Sequence, residues 1–204
     1  MSDAAVQTGI DQGRRTWIAI TCGASAVGGA AVAVPFISTF APSERARAAG
    51  APVQVDISAL QPGEKLTVEW RGKPVWIVRR TATQLDSLKK AESQLADAKS
   101  DRTQVPTPAY AKNEYRSIKP EYFVGVGICS HLGCSPSDKF QTGAQPSLPE
   151  DWGGGFLCPC HGSTFDMAGR VFKNKPAPDN LEVPPHMYLS DSTLVIGEDN
   201  QKKA

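Results

Sequence analysis

The 204-residue chain lacks a charge of one sign: 22 Lys and Arg stand against 21 Asp and Glu, a formal net charge of +1. With no net positive field to gather a phosphate backbone, nucleic-acid binding is not expected. The length leaves room for little more than one domain of ordinary size, which excludes a large multidomain enzyme. Histidine is rare, with only His131, His161 and His186, and the first two lie beside cysteines. Glycine and proline are plentiful, at 18 and 16 residues, and point to many turns and few long helices.

Charge is wholly missing from Thr16 to Ser43. As a helix that stretch is about 42 Å long, enough to cross a bilayer core of about 30 Å. A single membrane-spanning helix is expected over 17–40. It is rich in Ala and Gly (Gly23, Gly28, Gly29) rather than Leu, and Pro35 lies near its far end, where a kink is tolerable. Cys22 reads as a small apolar residue of the span. Arg14 and Arg15 precede the span and Arg45 and Arg47 follow it, so flanking positives do not settle its orientation. Arg14-Arg15-Thr16-Trp17-Ile18 resembles a twin-arginine export signal, which would leave residues 1–16 in the cytoplasm and carry the rest across. Ala46-Arg47-Ala48 has the small-x-small form of a cleavage site, but such triplets are frequent in Ala-rich sequence and an uncleaved anchor is expected.

Residues 41–52 mix Pro, Gly, Ala and charge and read as a flexible hinge. Residues 53–204 then follow antiparallel β grammar. Val53, Val55 and Ile57 alternate with polar neighbours, as do Leu66, Val68 and Trp70, before Gly72-Lys73-Pro74 turns the chain into a run ending at Arg80. One inserted helix is expected from a capping box of Thr83 and Asp86 through about Lys99, with Leu85, Leu88 and Leu95 near one face. A strand over 121–128 and short β pieces to Val195-Ile196 complete the domain. Trp70, Trp76 and Phe123 are expected in the core. His186 is expected on a strand or the surface, 135–155 as a long surface loop without assignable chemistry, and 198–204 as a solvated tail.

Two segments stand apart: Cys129-Ser130-His131-Leu132-Gly133-Cys134 and Cys158-Pro159-Cys160-His161-Gly162-Ser163. Each presents a Cys and a His two or three residues apart, a further Cys, and a Gly of the kind that lets backbone approach a cofactor. Zinc suits such ligands. Six candidates, however, are too many for one zinc and too few for two closed sites. A binuclear iron-sulfur cluster with one iron on two thiolates and the other on two imidazoles uses four, and the leftover cysteines can form a disulfide.

Both segments resemble the cluster-binding motifs of Rieske iron-sulfur proteins, Cys-x-His-x-Gly-Cys and Cys-Pro-Cys-His-Gly-Ser, at every defining position. The resemblance implies that Cys129 and Cys158 bind one iron of a single 2Fe-2S cluster, that His131 and His161 bind the other, and that Cys134 pairs with Cys160. It implies a mainly β fold: an antiparallel β-sandwich with a small cluster-binding lobe at about 128–178 and the N-terminal helix as membrane anchor. Lys175-Pro176-Ala177-Pro178 through Leu181 is similar to the family's proline-rich third loop over the cluster, although Lys175 replaces its usual glycine. Ser163 matches the family serine that donates to a cluster sulfide. Phe165 stands where many high-potential members have a tyrosine donating to a ligand sulfur. Leu132, at a loop tip, is expected to shield the cluster and contact a partner.

The ligand set carries chemistry of its own. Two ferric ions, two sulfides, two thiolates and two neutral imidazoles sum to zero formal charge, so an added electron is accepted more readily than by an all-thiolate cluster. That electron raises the pKa of the imidazoles and couples electron to proton uptake, as quinol oxidation requires. The resemblance therefore implies the iron-sulfur subunit of a bacterial ubiquinol-cytochrome c reductase in the inner membrane, with its domain on the periplasmic side. Its partners would be cytochrome b, a c-type cytochrome and ubiquinol within a dimeric complex, with His161 meeting the quinol. The alternatives are an exported Rieske subunit, such as that of an arsenite oxidase, with the helix removed, and a structural zinc module. Ring-hydroxylating oxygenases and their ferredoxins typically lack the cysteine pair supplied here by Cys134 and Cys160.

Overall fold

The computed structural model describes residues 11–199 apart from Thr103 and Pro106. Most of the expected cytoplasmic segment and of the tail therefore lies outside the described residues. The chain divides into two packing units between Arg47 and Ala48. In the first, α1 runs from Gln12 to Ser38 and is long and apolar enough to cross a membrane. It begins before the expected span because Asp11 caps it, its carboxylate accepting from the Arg14 N–H at 3.1 Å. Pro35 sits in its last turn. The segment read as a hinge carries a short helix, α2 (Glu44–Ala49), where Ser43 Oγ accepts from the Ala46 N–H at 3.2 Å.

The second unit holds three antiparallel three-stranded sheets. The first orders β1 (Val53–Asp56), β9 (Thr193–Ile196) and β8 (His186–Tyr188). The second orders β2 (Lys65–Trp70), β3 (Lys73–Arg79) and β4 (Tyr122–Val126). The third orders β5 (Ser137–Lys139), β6 (Gly155–Leu157) and β7 (Thr164–Asp166).

The middle sheet divides two cores because strand side chains alternate. Val75 and Ile77 of β3, with Tyr122, Val124 and Val126 of β4, pack toward Val55, Leu194 and Ile196 of the first sheet. Trp76 and Val78 of β3 and Phe123 of β4 point the other way, to Phe156 and Phe165 of the third sheet. Trp76 and Phe156 stack at 4.8 Å between centroids. A strand buried on both faces reads as a continuous apolar run, which Val75-Trp76-Ile77-Val78 is. Trp70, Trp76 and Phe123 are all buried, as expected.

Two expectations need correction. The inserted helix is α3, Ala82–Lys90, and its capping box is Thr81 with Gln84 rather than Thr83 with Asp86. It stops short of Lys99 because the chain is needed as a partner strand: Leu95 bridges Phe172, the Ala96 N–H donates to Val171 O, and the Lys173 N–H donates to Gln94 O. The stretch 135–155 is more than a surface loop. It contributes β5, and Trp152 is buried with Nε1 donating to Lys139 O at 2.8 Å. His186 is on a strand but fully buried; its N–H donates to the Tyr110 hydroxyl.

Buried arginines fix the turn after β7. Arg170 pairs with Asp166 at 2.7 Å, both buried. Arg80 donates to Met167 O, and Arg116 to Ala168 O and Gly169 O. The Met167 and Ala168 carbonyls thereby gain partners in the interior, and Gly169 O also accepts from the Leu181 N–H.

Candidate metal centre

The two sequence motifs fold into loops of the same construction. In the first, which follows β4, the Gly133 N–H donates to Cys129 O at 3.1 Å and the Cys129 N–H to Cys134 O at 2.8 Å. In the second, between β6 and β7, the Gly162 N–H donates to Cys158 O at 3.0 Å and the Cys158 N–H to Ser163 O at 2.8 Å. Each loop closes on its own leading cysteine and turns at a glycine of positive φ, 82° at Gly133 and 73° at Gly162, a conformation that disfavours side chains.

The loops stand side by side. Cys134 and Cys160 form a disulfide across them, the pairing the resemblance implies. Cys129 and Cys158 remain free thiols, each 2% exposed in the core shared with Trp76, Phe156 and Phe165. The His131 and His161 rings meet edge to face at 4.8 Å, His131 half-buried and His161 exposed. Leu132 is 71% exposed beside them, and Pro159, Pro176 and Pro178 are exposed as well. The site is therefore graded, with thiols inward and imidazoles outward. Burial pushes the Cys129 thiol up, and the neighbouring Cys158 adds to this. The His131 backbone N–H and the Ser163 hydroxyl face its sulfur and pull the other way.

With the disulfide formed, two thiols and two imidazoles remain, so the donor set itself must separate a binuclear cluster from a single ion. Ligands of one tetrahedral zinc, at about 2.0–2.3 Å from the metal, would all lie within about 4 Å of one another. Among the described residues, the set of metal-type donors converging within 4.8 Å is Cys134, Cys158 and Cys160 instead. Two of these are disulfide sulfurs with no thiolate to offer, so the set is no metal site. The remaining donors are two buried thiols, Cys129 and Cys158, and two imidazoles, His131 and His161, in contact farther out, a sulfur pair and a nitrogen pair that fit a two-iron group with sulfur ligands on one iron and nitrogen ligands on the other.

The third loop lies over both motifs. Ser163 is fully buried and its Oγ accepts from the Ala177 N–H at 3.0 Å. Lys175 does not distort the loop in place of a glycine, because the left-handed position falls on Asn174 (φ 56°), a residue type that tolerates it. Sequence reasoning missed two residues here. Ser130 Oγ donates to Asp179 O at 2.6 Å, and Asn180 Oδ1 accepts from the Val171 N–H at 2.8 Å while its Nδ2 donates to Asp97 O at 2.9 Å. The available signal for Ser130 was a hydroxyl placed directly after a ligand cysteine, opposite a segment whose prolines remove its own donors.

Comparison with known proteins gives a consistent result. The family model described as "Rieske [2Fe-2S] domain" matches residues 52–185. The chain is similar to proteins named "Ubiquinol-cytochrome c reductase iron-sulfur subunit" in three bacteria. The one from Allochromatium vinosum is 54% identical over 186 residues, covering 91% of this chain and 88% of that one. The one from Bradyrhizobium diazoefficiens is 40% identical over 186 residues, 90% of this chain and 94% of the other. The one from Rickettsia prowazekii is 36% identical over 200 residues, 97% of this chain and 100% of the other.

Proposed function

The chain belongs to the Rieske [2Fe-2S] family, and from that premise we propose that it is the iron-sulfur subunit of a bacterial ubiquinol-cytochrome c reductase. The observation that carries the proposal is the graded site: buried free Cys129 and Cys158 behind an exposed His161, in a chain similar over nine-tenths of its length to subunits of that name. Cys129 and Cys158 hold one iron, His131 and His161 the other. When bound, the cluster takes up and returns one electron at a high potential.

The residues around it supply the rest. The exposed His161 imidazole offers a ring nitrogen to a quinol hydroxyl and holds its proton after transfer. Leu132 and the exposed prolines form the apolar rim that seats against cytochrome b and keeps water from the transfer. The Cys134–Cys160 disulfide holds the two ligand loops at fixed spacing. The Ser163 hydroxyl, fully buried under the third loop, would donate to a cluster sulfide and stabilise added negative charge.

At the scale of the chain, residues 1–16 are the cytoplasmic end with the twin-arginine signal, and 17–40 form a retained anchor in the inner membrane. Residues 41–52 tether a periplasmic domain over 53–204. A short tether keeps one cluster at high effective concentration near two stations, the quinol site and a c-type cytochrome, within a dimeric assembly. The decisive experiment is electron paramagnetic resonance of reduced membranes from cells with and without this chain, recorded with and without a quinol-site inhibitor. A Rieske spectrum that depends on the chain and changes with the inhibitor is expected. A chain-dependent spectrum indifferent to the inhibitor would point instead to another exported oxidoreductase.

A further inference from the structure

The turn after β7 gathers more buried positive charge than it neutralises. Arg80, Arg116 and Arg170 are 2%, 1% and 1% exposed, and among the described residues the fully buried carboxylate that faces them is Asp166, 3% exposed. Asp166 is paired with Arg170, whose Nε donates to Oδ2 at 2.7 Å. Arg80 and Arg116 are held by uncharged acceptors instead. Arg80 donates to backbone carbonyls, Met167 O among them, and to Ser117 Oγ; Arg116 donates to Ala168 O, Gly169 O, Leu181 O and Thr107 Oγ1. The other buried carboxylate, Asp179, has a cation of its own in Arg102 at 3.7 Å. Half-buried Asp97 acts on Arg116 with less effect than Asp166. Burial pushes Arg80 down to about 9 and Arg116 down to about 10, so both remain cations at neutral pH.

A charge left without a counter-charge in the interior is destabilising, and neutral donors could hold the same carbonyls. Its position gives it a use. Met167 and Ala168, whose carbonyls receive Arg80 and Arg116, pack in the same core as Cys129 and Cys158. The Arg80 guanidinium also lies 5.9 Å from the ring centroid of Phe123, a residue of that core. Only β7 lies between Ser163, at the end of the second ligand loop, and Met167, a span of about 13 Å for four residues of extended chain. Through an apolar interior a charge is felt at such range with little screening. We infer that Arg80, Arg116 and Arg170, opposed by Asp166, bias the cluster site electrostatically toward the state carrying one more electron. Reduction adds a negative charge, and an excess of buried positive charge makes that addition more favourable. The inference deepens the proposed function, since it rests on the two ligand loops holding the cluster.

The test reads the midpoint potential of the full-length, detergent-solubilised protein in a redox titration followed spectroscopically. A unit charge acting over about 15–20 Å at an effective dielectric constant of about 20 changes an equilibrium about fivefold. Arg116→Gln removes a positive charge and is expected to make reduction about fivefold less favourable, which lowers the potential. Asp166→Asn removes the opposing charge and is expected to raise the potential by a similar factor. Loosening of the turn alone would move both variants in one direction. Shifts of opposite sign therefore support the inference, whereas shifts of the same sign, or none in either variant, overturn it. Should the Arg116→Gln chain fail to accumulate, Arg170→Gln replaces it under the same criterion. A parent protein without colour or labile sulfide would instead sink the cluster reading itself, so the two failures are distinguishable.

Discussion

At the scale of single residues, position 165 makes the clearest claim on potential. Phe165 is fully buried in the core that also contains Cys129 and Cys158. With the ligands proposed above, a hydroxyl added there would give a cysteine sulfur a donor, and donors favour the reduced, more negative centre. One hydrogen bond of about 1 kcal/mol corresponds to a few tens of millivolts for a one-electron couple. Phe165→Tyr is therefore expected to raise the midpoint potential by about that much; an unchanged or lower value in a spectroelectrochemical titration would refute it. His186 carries a different expectation. It is 1% exposed, with Nδ1 against Pro184 O at 2.9 Å and no partner at Nε2 among the described residues. Burial pushes its pKa below the ordinary 6.5, against smaller upward effects from the Pro184 carbonyl and Asp199. The folded ring stays neutral where the unfolded one charges. The stability it protects is present above about pH 6.5 and falls as the pH drops below that value, by up to about 1.4 kcal/mol per unit. Urea unfolding across pH 8 to 5 should show this slope in the parent and a flatter profile in His186→Phe. Nothing adjacent in the sequence marks this histidine as buried, because Pro184 and Pro185 suggest a surface turn. Its burial follows from pairing with β9 and from Tyr110, 76 residues upstream.

Among the elements, the two ligand loops were readable and their supports were not. The motifs give ligands, glycines and spacing because these are local in the chain. The cap of α3, its early end, β5, the tie of Ser130 to the third loop and that of Asn180 to Asp97 depend on contacts far along it, such as Leu95 with Phe172 and Ser130 with Asp179. A capping box at 83 and 86 is as plausible from composition as one at 81 and 84. The choice falls to the one whose helix also buries Leu88, 1% exposed, and Gln84, which donates to Phe140 O. The disulfide is the element-level feature with the largest expected effect. It closes a sequence separation of 26 residues, for which chain entropy gives about 3–4 kcal/mol. The double replacement Cys134→Ser with Cys160→Ser should lower the unfolding midpoint and speed chelator bleaching more than the single replacement Ser163→Ala. Equal thermal stability by calorimetry would show that the loops hold their spacing without it.

For the whole molecule, the alternation of β1 and β2 and the uncharged run from Thr16 to Ser43 announced an antiparallel β domain behind a membrane-length helix. The division of one domain into two cores was harder to see, because a strand buried on both sides shows no alternation. The packing boundary between Arg47 and Ala48 leads to a direct expectation. A chain starting at Ala48 should fold, remain in aqueous solution and bind its cluster, whereas the full chain should need detergent. A truncated protein that aggregates while the full chain stays monodisperse would show that α1 contributes to the domain's own stability.

The shared sheet has a practical consequence for anyone who would redesign this protein. Val75, Trp76, Ile77 and Val78 form a party wall, and every second residue belongs to the neighbour's room. A substitution made to retune the coloured compartment by bulk alone will move the partition and disturb the colourless one. Engineering is better confined to the loops, where a change on one side has no tenant on the other.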